Sequence, residues 1–493
     1  MERGGSKNGR KFLPKAPTGI AGLDEITGGG LPKGRTTLIV GSPGCGKTLL
    51  CTEFLVHGAV RFGEPGVCLQ FEETAEKLAA NVASLGLDLN DLIRRKKLAV
   101  DFIRIDRSEI EENGEYNLDG LFIRLGHAVS SINAKRVVMD GIETLFAGLQ
   151  DEGVLRSELR RLFQWLDEHG LTAIVTGERG DRTLTRKGLE EYIADCVILM
   201  DHRVTDQIST RRLRIVKYRG SSHGMDEYPF LIDDQGLSLI PITGLKLEHR
   251  ARKDRVSTGI PGLDEIMEGK GYYRGSSVLV SGGAGAGKTT LAARFAEAGC
   301  GRGERCLYFA FEESPSQIIR NMRSVGVRLD PCERNGLLQF HATRPSSTGL
   351  EAHLAVVQKL IADIEPDVVI VDPVTSLFAG GNLHGAKLMF TRLIDFLKVR
   401  GVTSLFTNLT FTLDPSGIGH EGVSSLMDTW IVLSDGARNG GGPKRGLTVV
   451  KSRGMAHSRE QHEIVMKKGK LVLGGPLTGS AAPSAKHKMG AGK

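Results

Sequence analysis

The sequence predicts an α/β protein of two tandem domains, each a mostly parallel β-sheet flanked by helices. Three observations predict it. The chain repeats itself over a long internal period, short β-branched runs alternate with amphipathic helical stretches, and a glycine-rich loop follows a β-rich run at the matched position of each repeat.

The repeat sets the domain boundaries. PTGIAGLDEITGGGLPKGRTTLIVGSPGCGKT (17–48) matches STGIPGLDEIMEGKGYYRGSSVLVSGGAGAGKT (257–289), a likeness too long for chance. LQFEET (69–74) then matches FAFEES (309–314), RVVMD (136–140) matches VVIVD (368–372), and IVKYRGSSH (215–223) matches VVKSRGMAH (449–457). Domains are therefore expected at 17–247 and 248–473, joined within the polar, charge-rich segment LKLEHRARKDR (245–255). Residues 1–16 read as a basic flexible tail, and 474–493, with too little apolar content to pack, as a disordered one.

Within each half, runs such as TTLIV, VVMD and AIVT read as strands, while GVLRSELRRLFQWLDEHG (153–170) has the spacing of an amphipathic helix. Their alternation reads as βαβ units, hence the parallel sheet.

Composition narrows the function. At 493 residues the chain is too long for one comfortable core, and its 40% apolar and 25% charged shares are those of an ordinary globular protein. No stretch approaches the roughly 20 apolar residues that span a membrane, and MERGGSKNGRKFLPK has no apolar core of a signal peptide, so a cytoplasmic protein with no membrane partner is expected. Cys45, Cys51, Cys68, Cys196, Cys300, Cys306 and Cys332 are scattered without a C-x-x-C pair or zinc spacing, which argues against a disulfide framework or structural metal. The formal charge of +7 sits wholly in the two tails, +4 in residues 1–16 and +3 in 474–493. A neutral body makes a nucleic-acid partner unexpected.

The chemistry lies in the repeats. G-x-x-x-x-G-K-[ST] occurs as Gly41-Ser42-Pro43-Gly44-Cys45-Gly46-Lys47-Thr48 and as Gly282-Gly283-Ala284-Gly285-Ala286-Gly287-Lys288-Thr289. In such a loop glycines turn N–H groups toward phosphate oxygens, the lysine reaches the β- and γ-phosphates, the threonine hydroxyl ligates Mg²⁺, and the following helix adds its dipole. A bland glycine turn explains one match poorly and two hardly at all. ATP and Mg²⁺ are thus the expected cofactors, with Gly44, Gly46, Lys47, Thr48 and Leu49 holding one nucleotide and Gly285, Gly287, Lys288, Thr289 and Thr290 the other.

Asp140 and Asp372 each close an apolar strand, where a Walker-B acid helps Thr48 or Thr289 to hold the metal. Glu72-Glu73 and Glu312-Glu313 follow the next strand and are candidate proton acceptors, although acids also favour the first turn of a helix. Lys217 and Arg219, and likewise Lys451 and Arg453, sit late in each half; as surface charges they need no function, but in a ring they would act on the neighbour's γ-phosphate.

With the doubled TG-I-x-G-LDE-I lead-in, both P-loops, both EE pairs and both K-x-RG segments in order, the sequence resembles the KaiC family, the double-ring ATPases and autokinases of the cyanobacterial circadian oscillator and their relatives. The likeness runs from about residue 17 to 470. It implies tandem RecA-like P-loop domains, a homohexamer of two stacked rings with ATP between subunits, slow hydrolysis in the first ring and self-phosphorylation in the second. The family's acceptors are two hydroxyl residues just before an [IL]-x-D-T run. Here that run is Ser424-Ser425-Leu426-Met427-Asp428-Thr429, whereas the first half's matching Glu191-Tyr192-Ile193-Ala194-Asp195 offers no such pair.

Ser425 stands where the clock proteins have Thr, and Ala379 where they carry a basic residue after the second Walker-B acid. The resemblance also implies a KaiB-like partner. The short Gly/Ala/Lys tail has no counterpart of the segment through which KaiA acts, so a KaiA-like partner is not expected. Two other readings stay open on sequence: a recombination or repair ATPase of RecA type, and a nucleotide-gated scaffold without kinase activity.

Overall fold

The computed structural model describes residues 13–103, 118–145, 152–180, 184–185, 193–205, 208–239, 252–344, 350–378, 383–409, 425–435, 444–467 and 470–477. Ser424, Ala379, Glu191 and Tyr192 lie outside them. The chain divides into two units, Met1–Gly244 and Leu245–Lys493.

In the first unit the main strands are β1 (Thr36–Gly41), β2 (Gly66–Gln70), β3 (Leu98–Phe102), β4 (Arg136–Asp140), β5 (Thr172–Glu178), β6 (Cys196–Thr205), β7 (Ile208–Tyr218), β8 (Glu227–Asp233) and β9 (Gly236–Leu239). The longer helices are α1 (Lys47–Arg61), α2 (Ala75–Ala83), α3 (Asp119–Ile132) and α4 (Glu152–Glu168). The strands form one nine-stranded sheet in the order β9-β8-β7-β6-β1-β5-β4-β2-β3. From β6 to β3 all neighbours are parallel, and the β6–β9 flank is antiparallel.

The second unit repeats this plan. Its strands are β10 (Ser277–Gly282), β11 (Cys306–Ala310), β12 (Leu338–Ala342), β13 (Val368–Asp372), β14 (Thr403–Leu409), β15 (Thr429–Asp435), β16 (Arg445–Ser452), β17 (His462–Lys467) and β18 (Lys470–Pro476), with helices α5 (Lys288–Gly301), α6 (Pro315–Ser324), α7 (Leu350–Ile364) and α8 (Leu383–Val399). The order β18-β17-β16-β15-β10-β14-β13-β11-β12 matches the first sheet strand for strand.

A strand buried on both faces should feed two cores, since successive side chains point to opposite sides. In β1, Ile39 joins a core cluster that includes α1, while Leu38 and Val40 join another that includes α3 and α4. In β10, Val278 and Val280 pack with α5, and Leu279 packs with α7 and α8. All seven cysteines are buried and free.

Some residues that the sequence assigned to the two tails lie in strands. Lys15 and Ala16 form a two-residue strand against Leu31 and Pro32, and Lys15 Nζ donates to Thr27 O at 2.9 Å and Ser221 Oγ at 2.8 Å while lying 3.6 Å from the Tyr218 ring centroid. A lysine whose ammonium lies over an aromatic face and is hydrogen-bonded is structural, whatever its neighbours' composition. At the other end β18 runs to Pro476, past the expected start of the tail at 474, because its pairing with β17 reaches His462↔Pro476. No helix among the described residues is long and apolar enough to cross a membrane.

One buried acid in α1 makes the first unit sensitive to pH. Glu53 is 2% exposed and accepts the Leu237 N–H at 2.7 Å. Burial pushes its carboxyl up to about 7, against the Leu237 hydrogen bond and Arg61, with Asp233 adding to the rise. Because the folded state holds the proton more tightly than the unfolded one, stability falls as pH rises from about 4.5 to about 7. Glu53→Gln keeps an acceptor for Leu237 and is expected to raise the first unit's melting midpoint at pH 8 by about 5 °C, with little gain at pH 5. Melting curves offset equally at both pH values would contradict this.

Candidate functional site

Each P-loop connects the carboxyl end of the sheet's central strand to the helix that follows it. Gly46 and Gly287, the residues before α1 and α5, adopt φ of 105° and 103°, left-handed values that a side chain would strain. Lys47 Nζ donates to Gly41 O at 2.7 Å and Ser42 O at 3.3 Å; Lys288 Nζ donates to Gly282 O at 2.9 Å and Gly283 O at 2.7 Å. These lysines thus fold over the loops whose carbonyls they touch. Burial lowers the Lys288 pKa against the pull of Asp372 and Glu312.

In the first unit the loop lines a cavity of about 450 Å³ that includes Gly44, Gly46, Lys47, Thr48, Leu49, Glu72, Glu73 and Asp140. Parallel pairing of β1, β5, β4 and β2 brings these groups together at the carboxyl ends of the strands, the usual place for ligands in open α/β folds. Thr48 Oγ1 donates to Asp140 Oδ2 at 2.7 Å, and Thr176 Oγ1 to Asp140 Oδ1 at 2.6 Å. A hydroxyl and a carboxylate at that distance are hard-oxygen donors suited to Mg²⁺.

In the second unit Asp372 accepts from the Thr407 hydroxyl, the counterpart of Thr176, and also from Tyr308 OH at 2.6 Å. Thr289 and Thr290 are half-buried in the first turn of α5.

The glutamate pairs are not helix-start acids. Thr74 caps α2, and Ser314 caps α6 through a capping box with Gln317, so both pairs lie before the caps. Asn81 Nδ2 donates to Glu73 Oε2 at 3.0 Å, and Asn321 Nδ2 to Glu313 Oε2 at 3.1 Å, so each second glutamate is tied to the following helix. Glu312 Oε1 accepts from Ser376 Oγ at 2.9 Å. In the first unit burial raises the pKa of both Glu72 and Glu73, and the nearby Asp140 raises them further.

Lys217, Arg219, Lys451 and Arg453 lie at the opposite end of the sheet. Asp195 N donates to Thr36 O at the start of β1, and Arg219 N donates to Asp195 O at 2.9 Å. In the second unit Asp428 N donates to Ser277 O at the start of β10, and Arg453 N to Asp428 O at 2.8 Å. A six-residue central strand at about 3.3 Å per residue puts roughly 16 Å between these arginines and their own P-loops. Ser425 is exposed beside Arg453, whose Nη2 donates to Ser425 O at 2.7 Å. Burial and the adjacent Arg453 lower the Lys451 pKa. Asp428 would be raised by burial, but the Ser277 N–H and Lys398, 2.9 Å away, hold it below the usual range.

Sequence reasoning missed Glu143 and Glu178, which line the first cavity, and Tyr308 and Ser376, which reach the acids of the second. A comparison of TAIVTGE (172–178) with TSLFTNL (403–409) held the signal for Glu178, a charge where its repeat has leucine.

Two P-loops, each on the central strand of a mostly parallel sheet with a strand-end carboxylate beside it, define a tandem P-loop ATPase with RecA-like domains. The family model described as "ATPase: KaiC" matches residues 16–244 and again 256–475. The chain belongs to the KaiC family. It is 53% identical over 460 residues to the circadian clock protein KaiC2 of Synechocystis sp., covering 92% of this chain and 80% of that protein. It is 35% identical over 464 residues to the circadian clock oscillator protein KaiC of Parathermosynechococcus lividus, 94% and 85% covered, and 35% identical over 457 residues to that of Synechococcus elongatus, 92% and 88% covered.

Proposed function

We propose that this KaiC-family ATPase works as a homohexameric double ring that hydrolyses Mg·ATP in its first half. In its second half it transfers the γ-phosphate to Ser424 and Ser425 of the adjacent subunit. It then serves as a clock-like or stress-signalling regulator, with a KaiB-like protein as partner.

The observation that carries this reading is the opposed placement of the two parts of each site. Lys47 and Lys288 stand at one end of the central strand, and Lys217/Arg219 and Lys451/Arg453 at the other, beside Asp195 and Asp428. Cations so far from their own P-loop can stabilise charge on a transferring phosphoryl group only in another copy. In a head-to-tail ring every subunit offers a P-loop to one neighbour and a cation pair to the other. Thr48 with Asp140, and Thr289 with Asp372, would hold Mg²⁺, whose chemistry is to neutralise charge on the β- and γ-oxygens.

Light scattering in ATP is expected to give a hexamer, and Arg219→Ala together with Arg453→Ala to weaken it and lower turnover. Only monomers or dimers of the unaltered protein in ATP would sink the interfacial model.

A further inference from the structure

The two P-loop sites differ at positions that the repeat makes directly comparable. Sheet register sets Gly41 of the first P-loop opposite Glu178, and Gly282 of the second opposite Leu409. A carboxylate and an isobutyl group thus occupy the same position beside the two loops. Glu178 is fixed there: its backbone N–H donates to Glu143 Oε1, and both residues line the first cavity with Lys47, Thr48, Glu72 and Asp140. Where the first half has Glu143, three residues past Asp140, the second has Thr375 after Asp372. The surroundings of the first glutamate of each pair differ in the same sense. Glu72 packs on Gly141 among carboxylates, while Glu312 accepts a hydrogen bond from the Ser376 hydroxyl.

We propose that Glu178, held by Glu143, is a positioning residue that suits the first site to water as the phosphoryl acceptor by acting on Glu72 as its base. This rests on the reading that the first half hydrolyses ATP. In that step the water oxygen bonds to the γ-phosphorus, the bridging bond to the β-phosphate oxygen breaks, ADP leaves with that electron pair, and the water proton passes to Glu72. A second negative carboxylate nearby favours the protonated form of Glu72 and so makes it a stronger base. Consistent with this, Glu72 is raised first by burial, then by Asp140 and by Glu178, against the pull of Lys47. Leu409 supplies neither the charge nor an acceptor for a water proton, and the second site is left to a serine hydroxyl.

The test uses full-length protein carrying Lys288→Ala, so that phosphate release reports the first half. Glu178→Leu, which copies the second half, and the isosteric Glu178→Gln are each expected to lower kcat about tenfold with KM for ATP within about twofold. Glu178→Gln is also expected to move the acidic limb of the kcat profile to lower pH, which a merely structural role would not do. Unchanged kcat in both variants, or a Gln variant with the parent's rate and pH profile, overturns the proposal. Lys47→Ala separates the two ideas: if it leaves hydrolysis intact, the first-half reading has failed, and if it abolishes hydrolysis while Glu178→Gln is silent, only the role of Glu178 has.

Discussion

Lys47→Ala is expected to lower ATP hydrolysis by about 10²–10³-fold and to prevent most hexamer formation, whereas Lys288→Ala is expected to leave the hexamer and remove phosphate incorporation. Both lysines make the same contacts, each donating to two carbonyls of its own loop, so the difference comes from what surrounds them. The cavity around Lys47 is lined by Glu72, Glu73, Asp140, Glu143 and Glu178, and the first half's sequence has no serine pair at the position matched to the family's acceptors. In the second half, Asp372 is engaged by Tyr308, Glu312 by Ser376, and the serines stand before Asp428. Phosphate release, covalent labelling and light scattering on the same preparations decide the matter. If both variants lost the same activities to the same extent, the halves would not be specialised.

Much of the fold was legible because the sequence states it twice. A strand buried on both faces reads as an apolar run, a P-loop needs glycines at fixed offsets, and a Walker-B acid ends its strand, so β1, β4, β10 and β13 and the groups on them could be placed from local pattern. What was hidden depends on register between segments far apart in the chain. Glu143 and Glu178 meet only because β4 and β5 pair in parallel, and Tyr308 reaches Asp372 only because β11 lies beside β13. Lys15 read as one more tail charge because composition carries no information about the Tyr218 face on which it rests. The arginines could be assigned a ring role by resemblance, but their distance from their own P-loops follows only from the β6–β7 and β15–β16 hairpins.

That distance also governs the serines. Ser425 is tethered to Arg453 and lies three residues before Asp428, which bonds the start of β10, while the phosphates would sit past the end of the same strand. A γ-phosphate roughly 16 Å away cannot be in line with that hydroxyl, so labelling is expected to pass between subunits. Mixed hexamers test it: Lys288→Ala subunits that keep Ser424 and Ser425 should be labelled by subunits with an intact second P-loop and both serines changed to Ala. Neither protein alone should be labelled. Serine hydroxyls are almost wholly protonated at neutral pH, so a positioned carboxylate should accelerate attack by about 10²–10⁴-fold, and Glu312→Gln with Glu313→Gln should slow labelling by that factor while nucleotide stays bound. Of the two, Glu313 is the one oriented by Asn321, and Asn321→Ala is expected to reproduce part of the loss. Label appearing elsewhere in phosphopeptide maps, or undiminished in a protein lacking both serines, would show the acceptor to be wrong, and mixed hexamers that form but carry no label on the Lys288→Ala subunits would show the transfer to be within one chain.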